Sequence, residues 1–113
     1  MIDNYYEEYI SLSLSMSSEN DYLDKNKIRK HNQAMKKLFQ LQEKMNENIN
    51  LYINVLSDLM NFSDDKVKLL SSSHCLRQGI NRDKAIKTLK IIAKTNSDRT
   101  ISGAAGIILE QNK

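Results

Sequence analysis

The chain of 113 residues has no proline, no tryptophan and only three glycines. Proline and glycine are the residues that most often interrupt a helix, so their scarcity leaves few breaks in regular structure. Leucine, lysine, methionine, glutamine and glutamate are plentiful, and these residues favour helix over strand. The composition therefore predicts an all-α fold.

Cysteine is almost absent, because Cys75 is the only one and cannot form an internal disulfide. No stretch resembles a signal peptide, and the apolar runs are far shorter than the ~20 residues that a membrane span needs. We expect a cytoplasmic protein without a membrane partner. The length suits one domain, residues 1–113, whose core needs neither a metal nor a disulfide.

Residue patterns for catalysis are also missing. His31 and His74 are the only histidines, and neither a Cys-x-x-Cys nor a His-Glu-x-x-His pattern is present. His74 and Cys75 are adjacent, but neighbouring side chains on a helix point about 100° apart, which is poor geometry for a nucleophile and its base. We therefore expect a small buried Cys75, no catalytic residues, no metal, no cofactor and no small-molecule substrate, and hence no enzyme.

A repeat of 33 residues is the most informative pattern in the chain. The segment LSDLMNFSDDKVKLLSSSHCL, residues 56–76, aligns with LKIIAKTNSDRTISGAAGIIL, residues 89–109, so that apolar and acidic positions coincide. Helical hairpins repeated at this period stack into solenoids, whose extended surfaces suit partner binding better than chemistry. The repeat predicts an α-solenoid of about six helices, in which the long second helix packs against the two hairpins.

Helix boundaries follow from capping residues and apolar spacing. Residues 1–49 are predicted to form two N-terminal helices, the first starting at an Asn4–Glu7 capping box and the second running from about Asp21 to Asn48. Hairpin 1 occupies residues 50–80 and hairpin 2 residues 81–113. Two glycines inside the last predicted helix, Gly103 and Gly106, suggest that another helix approaches closely there.

The heptad-like seam of the long second helix contains Met35, Leu38 and Met45. Such a seam is compatible with a two-stranded coiled coil, but His31 and Gln42 interrupt it, so packing across shorter helices is the favoured interpretation. Self-association through this seam remains open as a structural, oligomeric role.

Charge is distributed unevenly. Residues 1–24 contain six acidic and no basic residues, a net of −6, whereas residues 25–113 carry 17 basic and eight acidic ones, a net of +9. The basic part could attract nucleic acid, yet it holds only three aromatic residues for base stacking, and the acidic start would repel phosphates. A nucleic-acid-binding module is therefore the alternative rather than the first hypothesis.

The acidic start combines carboxylates with tyrosines, a composition typical of interfaces with a basic protein. Tyr6 and Tyr9 are expected to face inward. A second acidic group occupies equivalent turns of the two repeats, which would stack as a ladder on one edge of the solenoid. The candidate partner-binding residues are Tyr5, Glu7, Glu8, Asp64, Asp65 and Asp98.

Three stretches carry a resemblance to a known family. They are KHNQAMKKLF at Lys30–Phe39, DKVKLL at Asp65–Leu70 and SGAAGIIL at Ser102–Leu109. The chain resembles, over nearly its whole length, a bacterial family of small HEAT-like helical domains formerly of unknown function. Similar domains occur as immunity proteins of contact-dependent growth inhibition systems.

That resemblance implies a function. Small immunity proteins of this kind bind a cognate toxin domain, often an RNase and in some cases an EndoU-like one, and block its active site. An RNase presents a cationic cleft, so an acidic patch on the immunity protein would complement it. We therefore expect a non-catalytic, cytoplasmic toxin inhibitor whose partner is a protein.

Overall fold

The computed structural model describes residues 2–17 and 23–112, and all of their regular structure is helical. This confirms the all-α class. A short 3-10 turn spans Ile49–Tyr52. The six α-helices are α1 Ile2–Leu14, α2 Lys25–Asn46, α3 Ile53–Leu59, α4 Asp65–Gln78, α5 Arg82–Thr95 and α6 Arg99–Gln111.

The caps of α4 follow the sequence signals closely. Asp64 is the N-cap, and its carboxylate accepts a hydrogen bond from the backbone N–H of Lys66 at 2.8 Å. At the other end Gly79 adopts the left-handed conformation, with φ of 68°, and its N–H bonds back to the last turn. An acid at the start and glycine at the end are the standard chemistry of helix termini. The prediction that Gly79 ends this helix is confirmed, whereas the sequence places the N-cap at Ser63, one residue before the observed cap Asp64.

The N-terminal boundaries differ from expectation. The helix α1 begins at Ile2, so Asn4 lies inside its first turn and the predicted capping box is wrong. The helix α2 begins at Lys25, with Asp24 as N-cap accepting from two backbone N–H groups. The predicted start of this helix at Asp21 lies outside the described residues.

The helix α4 is the centre of the packing, since it contacts α1, α3, α5 and α6. The core brings together residues from every helix, including Tyr9 of α1, Leu38 of α2, Leu56 of α3 and Leu89 of α5. The seam of α2 faces this core, with Leu38 2% and Met45 0% exposed. The seam therefore packs within the chain, as the interpretation of a helix crossing shorter ones predicted.

The hairpins α3–α4 and α5–α6 fall where the 33-residue repeat places them, but hairpin 2 has a longer first helix. Its glycines do not behave as predicted. A Cβ built on Gly103 or Gly106 would meet no other atom within 4 Å. Among residues 2–17 and 23–112 no helix approaches these glycines closely, so this prediction is wrong. The stacking of the hairpins as a HEAT-like solenoid stays a prediction.

Candidate protein-binding surfaces

The acidic pair Glu7 and Glu8 lies on the outer face of α1, and both side chains are exposed. Tyr5 was expected to be exposed, but it is half-buried. Its ring packs on the ring of Tyr52, with the two centroids 5.5 Å apart. Tyr9 faces inward as predicted and is completely buried. The helix thus presents two carboxylates beside a tyrosine whose ring is held in place.

The acids of the two turns have local structural roles. Asp64 caps α4, and Asp98 caps α6 by accepting from the N–H of Thr100 at 2.9 Å. Asp65 accepts a hydrogen bond from the Asn96 amide at 2.8 Å and lies 3.9 Å from the Lys68 ammonium. The Asn96–Asp65 bond joins the two turns, so the structure does bring these acids to one edge.

The helix α1 and the acidic turn at Asp65 meet α4 at different levels. The hydroxyl of Tyr9 meets α4 at Leu70 and His74, whereas Asp65 is its first residue. Five to nine helical residues correspond to ~8–13 Å along the axis. The contact of Tyr9 with α4 and the acidic turn at Asp65 are therefore about two helical turns apart.

A buried polar network connects α1, α2 and α4, and nothing in the sequence pattern predicted it. The Tyr9 hydroxyl lies 3.1 Å from Nδ1 of His74 and 3.2 Å from the carbonyl oxygen of Leu70. The Gln42 amide donates to the same hydroxyl at 2.9 Å. Nε2 of His74 lies 2.7 Å from Oδ1 of Asn46. Three helices are thereby held in one register.

The network reaches the surface at Arg77. Its guanidinium donates to Oε1 of Gln42 at 2.9 Å and lies over the ring of Phe39, 5.7 Å from the centroid. Arg77 is exposed and Phe39 is 53% exposed. Exposed arginines and aromatic rings held by a rigid framework are typical of interface centres. This pair is a surface feature that our sequence predictions missed.

Burial fixes the protonation states of the network. Desolvation lowers the pKa of His74 to about 4, and the nearby Arg77 charge acts in the same direction. The neutral ring donates through Nε2 to Asn46, which leaves Nδ1 as an acceptor that shares the single Tyr9 hydroxyl proton with the carbonyl oxygen of Leu70. Burial raises the pKa of Tyr9. Both groups are therefore neutral near pH 7, and their role in the fold is hydrogen bonding.

Cys75 is buried, as predicted. Desolvation raises the pKa of its thiol to about 11, and its sulfur lies 4.0 Å from the Asn81 amide rather than beside an imidazole. A thiol with so high a pKa is a poor nucleophile at neutral pH.

The two polar residues of the α2 seam have separate explanations. Gln42 is 3% exposed and belongs to the buried network. His31 accepts a hydrogen bond from the backbone N–H of Ser17 at 2.8 Å, which ties the end of the α1 segment to α2. The helical periodicity of the sequence predicted that these positions face inward. It could not identify their hydrogen-bond partners, which are 14 to 35 residues away along the chain.

Within residues 2–17 and 23–112 no three histidine, cysteine or acidic side chains gather where they could hold a metal ion. In the same part of the chain no helix has the length and apolar character to cross a bilayer. Comparisons with protein-family models, with curated proteins and with solved structures find no match.

Proposed function

We propose that this protein binds a cognate bacterial toxin domain and neutralises it by covering the active site, without chemistry of its own. The observation that carries the proposal is the docking of α1. Complete burial of Tyr9, and its bonds to α2 and α4, hold Glu7 and Glu8 on a fixed outer face. A surface ordered before binding loses less conformational freedom on association, which favours affinity.

The chemistry of the partner follows from that face. Two exposed carboxylates beside Tyr5 complement a cationic surface, and an RNase must present such a surface to its substrate. The resemblance to immunity proteins of contact-dependent growth inhibition systems is what further suggests an RNase toxin of such a system, EndoU-like domains among them. The acidic turns with Asp64, Asp65 and Asp98 would extend the contact along the neighbouring edge.

A first experiment identifies the partner. The tagged protein is used to capture binders from the lysate of its own bacterium, with washes at moderate and high salt. We expect one salt-resistant polypeptide that corresponds to the C-terminal part of a large secreted protein and that loses RNase activity in the complex. Failure to capture any polypeptide, or capture without inhibition, contradicts the proposal.

A second experiment locates the interface. Replacement of Glu7→Lys together with Glu8→Lys should weaken toxin binding at least about tenfold, measured by calorimetry, since attraction becomes repulsion. Glu43→Lys, at another exposed acid on α2, is the matched control and should change affinity little. Equal affinities for both variants would remove α1 from the interface.

The acids of the two turns need a substitution that removes the charge without removing the helix cap. Reversal of Asp64 and Asp98 to Lys would remove two helix caps at a cost of ~1 kcal/mol each, so weaker binding would be ambiguous. Asp64→Asn and Asp98→Asn remove the charge but retain a capping side chain. These variants should weaken toxin binding while the thermal midpoint stays within a few degrees of that of the parent protein.

The exposed Phe39 with Arg77 over its ring favours a second candidate, a nucleic-acid-binding module. Lys36 and Lys37 are exposed on the same helix and could contact phosphates. Recovery of salt-labile RNA or DNA from the capture experiment, without a protein partner, would favour this candidate. Self-association through Met35, Leu38 and Met45 is disfavoured, because Leu38 and Met45 are buried within the chain.

A further inference from the structure

A groove lies open on the outer side of hairpin 2, between α5 and α6. It has a volume of about 440 Å³, and Ile86 and Leu109 provide its apolar walls. Lys90 stands at its edge, and a second hollow of about 290 Å³ continues along α5 past Lys87 and Ile91. Ile91 is 56% exposed, which is unusual for an isoleucine. The face has no covering element among the described residues.

The corresponding groove of hairpin 1 is covered by the start of α5. The Asn81 amide donates to the carbonyl oxygen of Ile53 at 3.0 Å. The Lys84 ammonium donates to the carbonyl oxygen of Ser57 at 3.0 Å and to its hydroxyl at 2.8 Å. The first turn of α5 thus packs on α3 and places the Lys84 ammonium against Ser57.

The 33-residue repeat relates these two grooves. A shift of 33 residues aligns Ile53 with Ile86, Ser57 with Lys90 and Leu76 with Leu109. The three residues of hairpin 2 in these pairs all line the open groove. Leu76 is 5% exposed, whereas Leu109 is only half-buried. The open groove is therefore the place that a further helix start would occupy if the packing of hairpin 1 were repeated.

Charge decides what kind of helix start fits. Where hairpin 1 offers the oxygen atoms of Ser57 to an ammonium, the α5 side of the groove in hairpin 2 offers the exposed ammonium of Lys90, with Lys87 one turn away. Glu110 lines the α6 side of the same groove, so a carboxylate is favoured only at the position that the repeat pairs with Ser57. A carboxylate in the first turn of the incoming helix would pair with Lys90, and it would also be stabilised by that helix's own dipole. An incoming lysine at the same position would be repelled.

We propose that the groove between α5 and α6 binds a helix of a protein partner that carries Asp or Glu in its first turn. The partner helix lays apolar side chains between Ile86 and Leu109 and directs its carboxylate to Lys90. This surface is separate from the acidic face of α1, so the proposal stands independently of the toxin-binding one.

The test uses two synthetic peptides of residues 79–95, one with the natural Lys84 and one with Lys84→Glu, titrated into the ¹⁵N-labelled full chain. Both peptides share the residues that seat on hairpin 1, so they differ only at the position that meets Lys90. We expect the Glu peptide to shift the amide resonances of Ile86, Lys90 and Leu109 and to bind about fivefold more tightly than the Lys peptide.

Two variants of the protein sharpen the result. Lys90→Ser recreates the surface of hairpin 1 and should reverse the preference, so that the Lys peptide binds better. Gly106→Leu places a side chain in the groove and should abolish binding of both peptides, while Gly103→Leu on the adjacent exposed turn should not. The proposal is overturned if neither peptide shifts groove resonances, if both bind equally, or if the shifts fall on α1 and α2.

Discussion

Hairpins 1 and 2 derive from one sequence pattern but differ in what covers them. Hairpin 1 is packed by α1 on one side and by α5 on the other, whereas the outer side of hairpin 2 faces solvent. The burial of two equivalent residues is the reverse of what their hydrophobicity predicts. His74 is 1% exposed in hairpin 1, and its equivalent Ile107 in hairpin 2 is 60% exposed. Position in the packing, rather than hydrophobicity alone, decides which of the two is buried.

The largest effect should come from truncating equivalent leucines. Leu76→Ala removes a side chain that is 5% exposed and should lower the free energy of unfolding by about 3 kcal/mol, the range for a buried cavity. Leu109→Ala, at the half-buried equivalent, should cost about 1 kcal/mol, since less area is lost and solvent fills the space. Urea denaturation of both variants measures this difference. Equal losses would mean that the groove is closed in solution.

The second prediction concerns how the free energy of unfolding changes at low pH. In the folded chain the pKa of His74 is about 4, below the ordinary value of 6.5. The unfolded chain therefore binds a proton more readily than the folded one, so stability is lost as pH falls through 6.5 towards 4. Between pH 7 and pH 5 this loss should be about 2 kcal/mol, at 1.36 kcal/mol per pKa unit.

Urea denaturation at both pH values checks that loss, with His74→Gln as the comparison. The variant keeps a polar side chain but cannot be protonated, so its stability should change much less over the same interval. Ile107→His supplies the opposite control, because a histidine at that exposed position should leave the pH dependence of stability as it is in the parent chain. A wild-type profile no steeper than that of His74→Gln would contradict a buried neutral imidazole.

The sequence predicted those parts of the fold that depend on neighbours along the chain. Gly79 ends α4 as predicted, and the cap at its start lies within one residue of the predicted Ser63, because capping needs only a side chain and the adjacent backbone. The burial of Tyr9, Leu38 and Leu56 follows from helical periodicity.

The interactions that bind helices together were not predictable in the same way. The hydrogen bonds of His74 to Tyr9 and Asn46 join residues 65 and 28 positions apart. The exposed Phe39 and Arg77 pair likewise depends on how α2 crosses α4. The open side of α6 was misjudged, because glycines at helical spacing indicate a close approach only if a neighbouring helix exists, and the described residues place none against Gly103 or Gly106.

The smallest predicted effect tests that correction at two glycines. Gly103 lies inside α6 with open space around it, so Gly103→Ala should raise the free energy of unfolding by up to about 1 kcal/mol through better helix propensity. Gly79 closes hairpin 1 at φ of 68°, where a Cβ is strained, so Gly79→Ala should lower it by about 1 kcal/mol. Thermal or urea denaturation distinguishes the two signs. If Gly103→Ala is instead destabilising, an element outside the described residues packs on that turn of α6, and the outer side of hairpin 2 is covered after all.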